Sequence, residues 1–425
     1  MNDIIKGLGD IYDNYITRPS AIRSLGTRQS FAMTESTNIE PLYRTQNIIR
    51  PLWGKPGNNK PDIGDHPDFR NLKGTDEKIY CPIVTMFMDI INSTRLGVLY
   101  SPDKVQVIKN AIISMAIDII VSLDGHVHRI MGDAVMAYFG GKYSKTENAV
   151  IDAINCSSMI QLFFEKVVIP KLDPHNSTDN LGIRVGLDYG DKDHVLWSSY
   201  GYPGACEVTA TSFFVDVASK LQQSAGKNNI MIGQSLRDHV DFPEELLSRK
   251  TYIQNGETKE QYYVTPNYTD NQGNPINYNQ WVLKWKDYLA CSNLAQINGQ
   301  LLLGNGVSPL NLKAEIYDAK EGNRLCDYQP NSCAKQKGNW IHFTVLLPFV
   351  PELPATLKFI VENHGKDAQG VQDNDNHTTT IPISSSQYKY TRWESLGYKG
   401  LHYMTAEVSN RKGVLLRTRF GVYVE

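Results

Sequence analysis

Two aspartates that follow apolar runs are the residues best placed to do chemistry. Asp89 ends the run in FMDIINST, and Asp133 lies further along the chain in HRIMGDAVMAYFG. Both runs predict buried strands that finish beside turn residues. If the strands are neighbours, the two carboxylates converge at one edge of a sheet. Such a pair suits Mg²⁺ or Mn²⁺, which prefer oxygen ligands. Asp89 has no charged neighbour in its own segment, and a bound metal would be its partner instead.

The segment after Asp89 predicts a phosphate-binding turn. Ile91, Asn92, Ser93 and Thr94 lead from the strand into the next helix. Backbone N–H groups at the start of a helix attract anions. We therefore expect the N–H groups of these four residues to face a polyphosphate.

The surrounding pattern predicts the elements that hold these residues. IYCPIVTMFMDI indicates one buried strand, helices are expected over 103–123 and 147–168, and the second is expected to end before Pro170. Asp133 should lie in the turn between two short strands. LGIRVGLDYGD predicts a half-buried strand, TSFFVDVASKLQQSA a helix, and NNIMIG and EQYYVTP further strands. Mixed strands and helices favour an α+β layer over a doubly wound parallel sheet.

Flanking segments divide the chain into predicted domains. Residues 1–77 form a proline-rich arm or linker that opens with a short helix, IIKGLGDIYDNYI. The catalytic domain is predicted over 78–268, and a linker rich in Asn, Gln, Gly and Pro over 269–287. Short strands with turn residues between them, from QLLLG to GVLLRTRFGVYVE, predict an all-β, immunoglobulin-like sandwich over 288–425.

Composition narrows the class of protein. The 425 residues are 41% hydrophobic and 21% charged, typical of globular domains, and the net charge of −2 gives no reason to expect a nucleic-acid partner. The six cysteines form no CxxC pair, so we expect buried reduced thiols. We find no apolar run of the ~18 residues that a membrane helix needs and no secretory signal, which predicts a cytoplasmic protein without a membrane partner.

Four blocks, in order and spacing, resemble the catalytic domain of the class III nucleotide cyclases. They are FMDIINST, HRIMGDAVMAYFG, IRVGLDYGD and VTATSFFVDVASKL. The resemblance implies a ferredoxin-like core that works as a head-to-tail homodimer with two shared active sites. One subunit supplies Asp89, Asp133 and the Ile90 carbonyl to hold two Mn²⁺ or Mg²⁺ ions, and Arg184 to contact the triphosphate.

The residues implied for the second subunit depart from the family pattern. Asp216 stands where the family usually has an Asn that orients the ribose, and Lys220 stands where it has an Arg that stabilises the transition state. Lys220 keeps the positive charge but loses the bidentate fork. Asp216 can accept a hydrogen bond from a ribose hydroxyl but cannot donate one when ionised.

Two positions carry base choice in the family. Arg129 stands where the family has a Lys, four residues before Asp133, and Thr209 stands seven residues before Asp216, where the family has an Asp or a Thr. An Arg presents only donors and reaches further than a Lys, and a Thr donates or accepts. This pair could reach the smaller edge of a pyrimidine.

The C-terminal block is similar to the AGS-C-like sensor domain of bacterial anti-phage signalling proteins. FIVENHGKDA and YKGLHYMTAEVSNRKGVLLRTRFGVYVE carry that similarity. Together the two resemblances imply a Pycsar pyrimidine cyclase that converts CTP or UTP to cyclic CMP or cyclic UMP, which then acts on a downstream effector. Two alternatives stay open: an adenylate cyclase that makes cyclic AMP, and a catalytically silent homologue that binds nucleotide and signals by association.

Overall fold

The computed structural model describes residues 3–17, 43–172, 181–295 and 307–425. Contacts divide the chain into two compact units. Of the described residues, the first unit comprises those up to 51, those within 55–236 and 249–283, and the second comprises 52–54, 237–248 and those from 284 to 425. Residues 237–248, which the sequence assigns to the catalytic domain, thus belong to the second unit.

The first unit contains both helices and strands, and strands dominate the second. The helices are α1 (Asp3–Thr17), α2 (Arg44–Ile49), α3 (Ser93–Leu99), α4 (Pro102–Ser122), α5 (Thr146–Phe163), α6 (Ile169–Leu172), α7 (Phe213–Ser224), α8 (Gln234–His239), α9 (Trp285–Leu289) and α10 (Lys366–Gln369). The strands of the first unit are β1 (Lys78–Tyr80), β2 (Ile83–Ile91), β3 (Gly125–Met131), β4 (Ala134–Phe139), β5 (Gly182–Gly190), β6 (Leu196–Tyr202), β7 (Ala205–Thr211), β8 (Ile230–Gly233), β10 (Lys250–Gln254), β11 (Glu257–Gln261) and β12 (Gln280–Leu283), with β9 (Leu247–Ser248) in the second unit.

The core of the first unit is a ferredoxin-like βαββαβ arrangement. In chain order it runs β2, α4, β3, β4, α5 and β5, and the strands lie side by side in the order β3-β4-β2-β5, each antiparallel to its neighbour. β8 then joins β5 in parallel, and β12 adds beyond β8. The fold class predicted from the sequence is confirmed for this unit.

The predicted strand IYCPIVTMFMDI is two strands. β1 pairs with β6 in a separate three-stranded sheet, β1-β6-β7, whereas β2 lies in the central sheet. Pro82 stands between them, and a proline cannot donate a backbone hydrogen bond to a ladder. The two sheets share an apolar cluster centred on Phe69, Tyr138 and Trp197.

β5 is buried on both faces, so the prediction of a half-buried strand is wrong. Eight of its nine residues are buried, because the strand lies between β2 and β8 and α7 packs against it. Gly186 permits this packing: a Cβ there would lie 2.2 Å from the Gln222 nitrogen and 2.3 Å from the Ala218 oxygen of α7.

The described part of the predicted arm packs on the first unit. α1 and α2 contact α4, and both Tyr15 and Thr45 donate hydrogen bonds to Asp118 Oδ2, at 2.9 and 3.0 Å. Burial raises the pKa of Asp118 to about 6. The predicted helix at the start of the chain is α1, and residues 18–42 of the arm lie outside the described residues.

Among the described residues, one helix is long and apolar enough to cross a membrane, which the sequence analysis did not expect. It is α4, with 21 residues, and 56% of its most apolar window is buried inside the protein. Ile112, Met115 and Ile119 are among its buried side chains. We interpret α4 as a core helix, since it packs on β3 and contacts α1 and α2.

Two predicted boundaries differ in the structure. The helix expected to end before Pro170 continues from α5 through a π-turn at Phe164–Val168 into α6, which includes Pro170. The segment predicted as a linker, 269–287, contains β12 and the start of α9. Its polar residues form a turn that returns the chain to the sheet, where Tyr278 donates a hydrogen bond of 2.8 Å to Asp188.

The second unit contains a sandwich of two β-sheets. The strands are β13 (Asn311–Tyr317), β14 (Arg324–Tyr328), β15 (Ala334–Lys335), β16 (Trp340–Leu346), β17 (Ala355–Glu362), β18 (His377–Pro382), β19 (Lys389–Ser395), β20 (Gly400–Asn410) and β21 (Gly413–Val424). One sheet has the order β14-β13-β16-β19 and the other β15-β21-β20-β17-β18, with one apolar core between them. The predicted all-β sandwich is confirmed; the predicted strand QLLLG lies outside the described residues.

Candidate active site

The strand register brings Asp89 and Asp133 together. Asp89 on β2 lies opposite Ala134 on β4 and opposite Arg184 on β5. Cα atoms of such antiparallel partners are about 4.5–5.5 Å apart. Asp133 precedes Ala134 in the turn between β3 and β4, so the two carboxylates share one end of the sheet, as the sequence predicts.

Asp89 has a charged partner that its own segment does not reveal. Arg184 donates from Nε and Nη2 to Asp89 Oδ2, at 2.8 and 2.5 Å, and Gln222 of α7 donates to the same oxygen at 3.3 Å. The inference that Asp89 lacks a charge partner is therefore wrong within the fold. The Asp89 side chain stays 15% exposed, and that of Arg184 30%.

Asp133 lies beside a serine and a lysine. Ser93 donates a hydrogen bond to Asp133 Oδ2, and Lys109 of α4 lies 3.5 Å from the same oxygen and donates to Ser93 Oγ at 3.0 Å. Sequence reasoning missed Lys109, although its polar side chain follows Ile108 within an apolar helical pattern. The Asp133 side chain is 26% exposed, so solvent and ligands can reach it.

The predicted phosphate-binding segment forms a tight turn into α3. Asn92 adopts the left-handed conformation, with φ 60° and ψ 24°, directly before Ser93 starts the helix. Ile90 is buried and pairs with Ile183, Ile91 pairs with Gly182, and Thr94 is exposed. The turn therefore lies at the same sheet end as Asp89.

The donor set at this sheet end fits a hard divalent cation. In the described part of the chain, no three His, Cys, Asp or Glu side chains lie together in a way that could hold a metal. A hard cation such as Mg²⁺ keeps several waters and also binds substrate phosphates, so it needs few protein ligands. Two carboxylates and the adjacent backbone carbonyl of Ile90 are a ligand set of this kind. Asp89, Asp133 and Ile90 are thus the residues that would hold such an ion.

Arg129 and Thr209 each contact a residue that the sequence analysis did not select. Arg129 on β3 forms a two-point ion pair with Glu207 on β7, including a bond of 2.9 Å from Nε to Oε2. Thr209, two residues further along β7, lies 3.2 Å from the hydroxyl of Tyr138. The side chains of Arg129 and Glu207 are 41% and 38% exposed.

Gly64 and Asp65, which lie in the predicted arm, form hydrogen bonds with β3 and β7, the strands that carry Arg129 and Glu207. Gly64 donates a backbone hydrogen bond to Val127 on β3 at 3.1 Å, and Asp65 accepts one from the Val208 N–H on β7 at 2.8 Å. His126 and His128 contact the Gly64 carbonyl, at 2.9 and 3.1 Å. Burial lowers the pKa of both imidazoles.

Asp216 and Lys220 lie one turn apart on α7, with Asp216 exposed and Lys220 half-buried. Lys220 lines a groove of about 660 Å³ together with Lys250, Tyr252 and Gln261. Lys250 donates to Ser224 at 2.7 Å, and burial lowers its pKa. Within the described chain, no hydrogen bond or ion pair joins Asp216 or Lys220 to Asp89 or Asp133.

Comparisons with known proteins agree with this architecture. The family model described as the Adenylyl/Guanylyl and SMODS C-terminal sensor domain matches residues 305–425. A cytidylate cyclase of Escherichia coli is 36% identical over 409 residues, which cover 91% of this chain and 84% of the relative. A cytidylate cyclase of Staphylococcus aureus is 32% identical over 420 residues, covering 97% and 95%.

Among solved structures, an adenylyl cyclase from P. aeruginosa aligns with a TM-score of 0.40 and 17% identity, over 49% of this chain and 95% of that one. This similarity is too low to inform on activity. The two cytidylate cyclases, in contrast, are similar to this chain over both of its units. The fold and the similarity to these cytidylate cyclases over most of the chain define a class III nucleotide cyclase, a lyase that acts on a nucleoside triphosphate. The chain belongs to the family of these cytidylate cyclases, and its residues 305–425 match the sensor-domain model.

Proposed function

We propose that this protein converts CTP or UTP to the 3′,5′-cyclic monophosphate and pyrophosphate, with Mn²⁺ or Mg²⁺ bound as two ions at each site. The observation that carries the proposal is the register that sets Asp133 beside Asp89 at one sheet end. The naming of the relatives as cytidylate cyclases supports the pyrimidine substrate.

The residues of this sheet end have distinct roles in the proposed reaction. Asp89, Asp133 and the Ile90 carbonyl would hold the cations, which would supply Lewis acidity toward the ribose 3′-hydroxyl and the triphosphate. The 3′-oxygen loses its proton to solvent and bonds to the α-phosphorus, and the bond from that phosphorus to the pyrophosphate oxygen breaks. No covalent enzyme intermediate forms.

Positive charge near the carboxylates orients the triphosphate. Arg184 lies beside Asp89 and offers planar N–H donors that match phosphate oxygens. Lys109 lies beside Asp133 and Ser93, and the N–H groups of Ile91–Thr94 follow the chain from the end of β2 into α3. These donors neutralise the anionic substrate and fix the α-phosphorus for in-line attack.

A second copy of the chain completes each site in this proposal. Lys220 would stabilise charge on the transferring phosphoryl group, and Asp216 would accept a hydrogen bond from a ribose hydroxyl. Lys250, which shares the groove with Lys220, would add a contact to the phosphate tail. In this proposal a homodimer therefore carries two shared sites.

The proposed setting is the bacterial cytoplasm and anti-phage defence. The sensor domain match over residues 305–425 supports a signalling role, in which the cyclic nucleotide acts on a downstream effector. Nucleic acid and membrane are not partners in this proposal.

A second candidate, cyclic AMP synthesis, is favoured by one observation. The Arg129–Glu207 pair places donors beside an acceptor, and the N1 and exocyclic amine of adenine would also match that order. The residues of the carboxylate site serve both reactions equally, so only the product distinguishes them.

The test is turnover by the purified full-length protein with Mn²⁺ and each of CTP, UTP, ATP and GTP, with products resolved by mass. The proposal predicts cyclic CMP or cyclic UMP as the main product. Cyclic AMP as the main product would support the second candidate. A folded dimer that turns over none of the four would support the silent homologue.

A further inference from the structure

Glu207 has no role in the reaction above, although it lies between the two residues assigned to base choice. It pairs with Arg129 across β7 and β3, and Thr209 follows it on the same face of β7. The opposite face, at Val208 and Ala210, is buried in the apolar cluster. The polar face of β7 thus presents a carboxylate, a hydroxyl and a guanidinium side by side.

We propose that Glu207 is the residue that distinguishes cytosine from uracil. This inference rests on the proposed function and deepens it by naming CTP as the preferred substrate. Glu207 accepts a hydrogen bond from the exocyclic N4 amine of cytosine while Arg129 donates to the adjacent N3 and O2.

The hydrogen-bonding edges of the two pyrimidines decide the preference. Cytosine presents two acceptors, O2 and N3, followed by the N4 donor. Uracil presents an acceptor at O2, a donor at N3 and an acceptor at O4. An arginine has only donors and an ionised glutamate has only acceptors, so the pair complements cytosine in order and opposes uracil at both N3 and O4.

The ion pair itself supports a recognition role. It uses Nε and Nη2 of Arg129, so further N–H groups of the same guanidinium can bind a second acceptor. The bidentate geometry fixes the plane of the guanidinium, which a single contact would not do. Both side chains are about two-fifths exposed, so a base can reach them.

The local fold holds this pair in place. Gly64 and Asp65 tie β3 to β7 next to Arg129 and Glu207, respectively. Tyr138, buried beside Trp197, fixes the hydroxyl of Thr209. Arg129 is one bond longer than the Lys that it replaces, so its donors reach further toward the smaller pyrimidine edge.

The test compares Glu207→Gln with the unmodified full-length protein, using kcat/KM for CTP, UTP and ATP measured separately and the products identified by mass. A glutamine side chain keeps the shape of glutamate but can donate to O4 of uracil. We expect the CTP-to-UTP ratio of kcat/KM to fall by about 10- to 100-fold, the scale of one bidentate base contact.

Glu315→Gln is the matched control. Glu315 pairs with Arg324 on the sandwich at 2.5 Å, with side chains 33% and 45% exposed, and it lies outside the residues assigned to the reaction. We expect its CTP-to-UTP ratio to equal that of the unmodified protein.

Two results would overturn the inference. Equal losses of kcat/KM for CTP and UTP in Glu207→Gln would mean that Glu207 only supports Arg129, and no loss for either nucleotide would mean that Glu207 does not contact the base. Either result leaves the proposed function standing if the unmodified protein makes a cyclic pyrimidine nucleotide. A main product of cyclic AMP from the unmodified protein would instead contradict both.

Discussion

Asp89 and Asp133 hold their positions through the backbone register of β2 and β4. Their side chains, 15% and 26% exposed, contribute polar contacts at the end of the sheet and little apolar packing. Substitutions at these positions therefore test chemistry more than folding.

We expect Asp89→Ala and Asp133→Ala each to lower turnover by more than about a hundredfold, the scale for losing one preorganised electrostatic contact. Both variants should still unfold cooperatively and keep the oligomeric state of the unmodified protein. The measurements are nucleotide turnover, urea unfolding and light scattering. Asp10→Ala, at an exposed position of α1, is the control. Full activity in either variant would remove the cation-binding assignment.

Asp188 predicts a specific dependence of stability on pH. It lies buried on β5, where burial raises its pKa from 3.8 to about 7. The unfolded chain therefore ionises first, and the stability that the protonated carboxyl contributes is fully present below about pH 4 and is lost as the pH rises toward 7.

Asp188→Asn carries no such charge, so its free energy of unfolding should rise relative to the unmodified protein between pH 5 and pH 7. The gain should be at most about 1.4 kcal/mol for each pH unit. Urea unfolding of both proteins at several pH values measures it, with Asp10→Asn as an exposed control. A difference that does not change with pH would contradict the raised pKa.

At the scale of elements, the approach of α7 to β5 positions Asp216 and Lys220. Gly186 has no side chain to separate the two elements, and a Cβ there would meet the α7 backbone at 2.2–2.3 Å. We expect Gly186→Ala to reduce the free energy of unfolding by about 1–3 kcal/mol, the usual cost of overpacking. Displacement of α7 should also lower kcat/KM, by about a hundredfold for a shift of 1 Å.

The control is Gly397→Ala, because a Cβ at Gly397 would meet only Ser395 Oγ, at 3.8 Å. Urea unfolding and turnover are measured for both variants. Stability and activity of Gly186→Ala equal to those of the control would contradict the close approach as the reason for glycine.

Strongly periodic elements were predictable from the sequence. The predicted helix over 103–123 is α4, the hairpin around Asp133 is β3 and β4, and the helix in TSFFVDVASKLQQSA is α7. Each has an apolar pattern that agrees with its tertiary burial. The predicted boundaries were wrong near two prolines. Pro82 separates β1 from β2 within one apolar run, and Pro170 lies inside α6 rather than beyond the end of the helix.

Contacts between distant segments were not predictable in the same way. The pairing of Arg184 with Asp89 and of Arg129 with Glu207 depends on which strands become neighbours. No local pattern around Glu207 distinguishes it from a solvated strand residue. The resemblance to class III cyclases identified Asp89, Arg129 and Arg184 individually, whereas the strand register of the structure identifies the residues with which they pair.

At the scale of the whole molecule, the proposed function requires two copies of the chain. The carboxylate site on β2 and β4 and the α7 residues Asp216 and Lys220 have no hydrogen bond or ion pair between them in the described chain. If each active site takes one set from each copy, a dimer carries two sites and every site needs both chains.

The most direct test mixes two inactive variants, Asp89→Ala and Lys220→Ala, and measures turnover of CTP and UTP after co-expression. Random pairing makes half of the dimers mixed, and each mixed dimer has one intact site. If the sites are shared between two chains, co-expression should recover about a quarter of the unmodified activity. Each variant alone should be inactive. Activity that stays absent in verified mixed dimers would contradict sites shared between two chains.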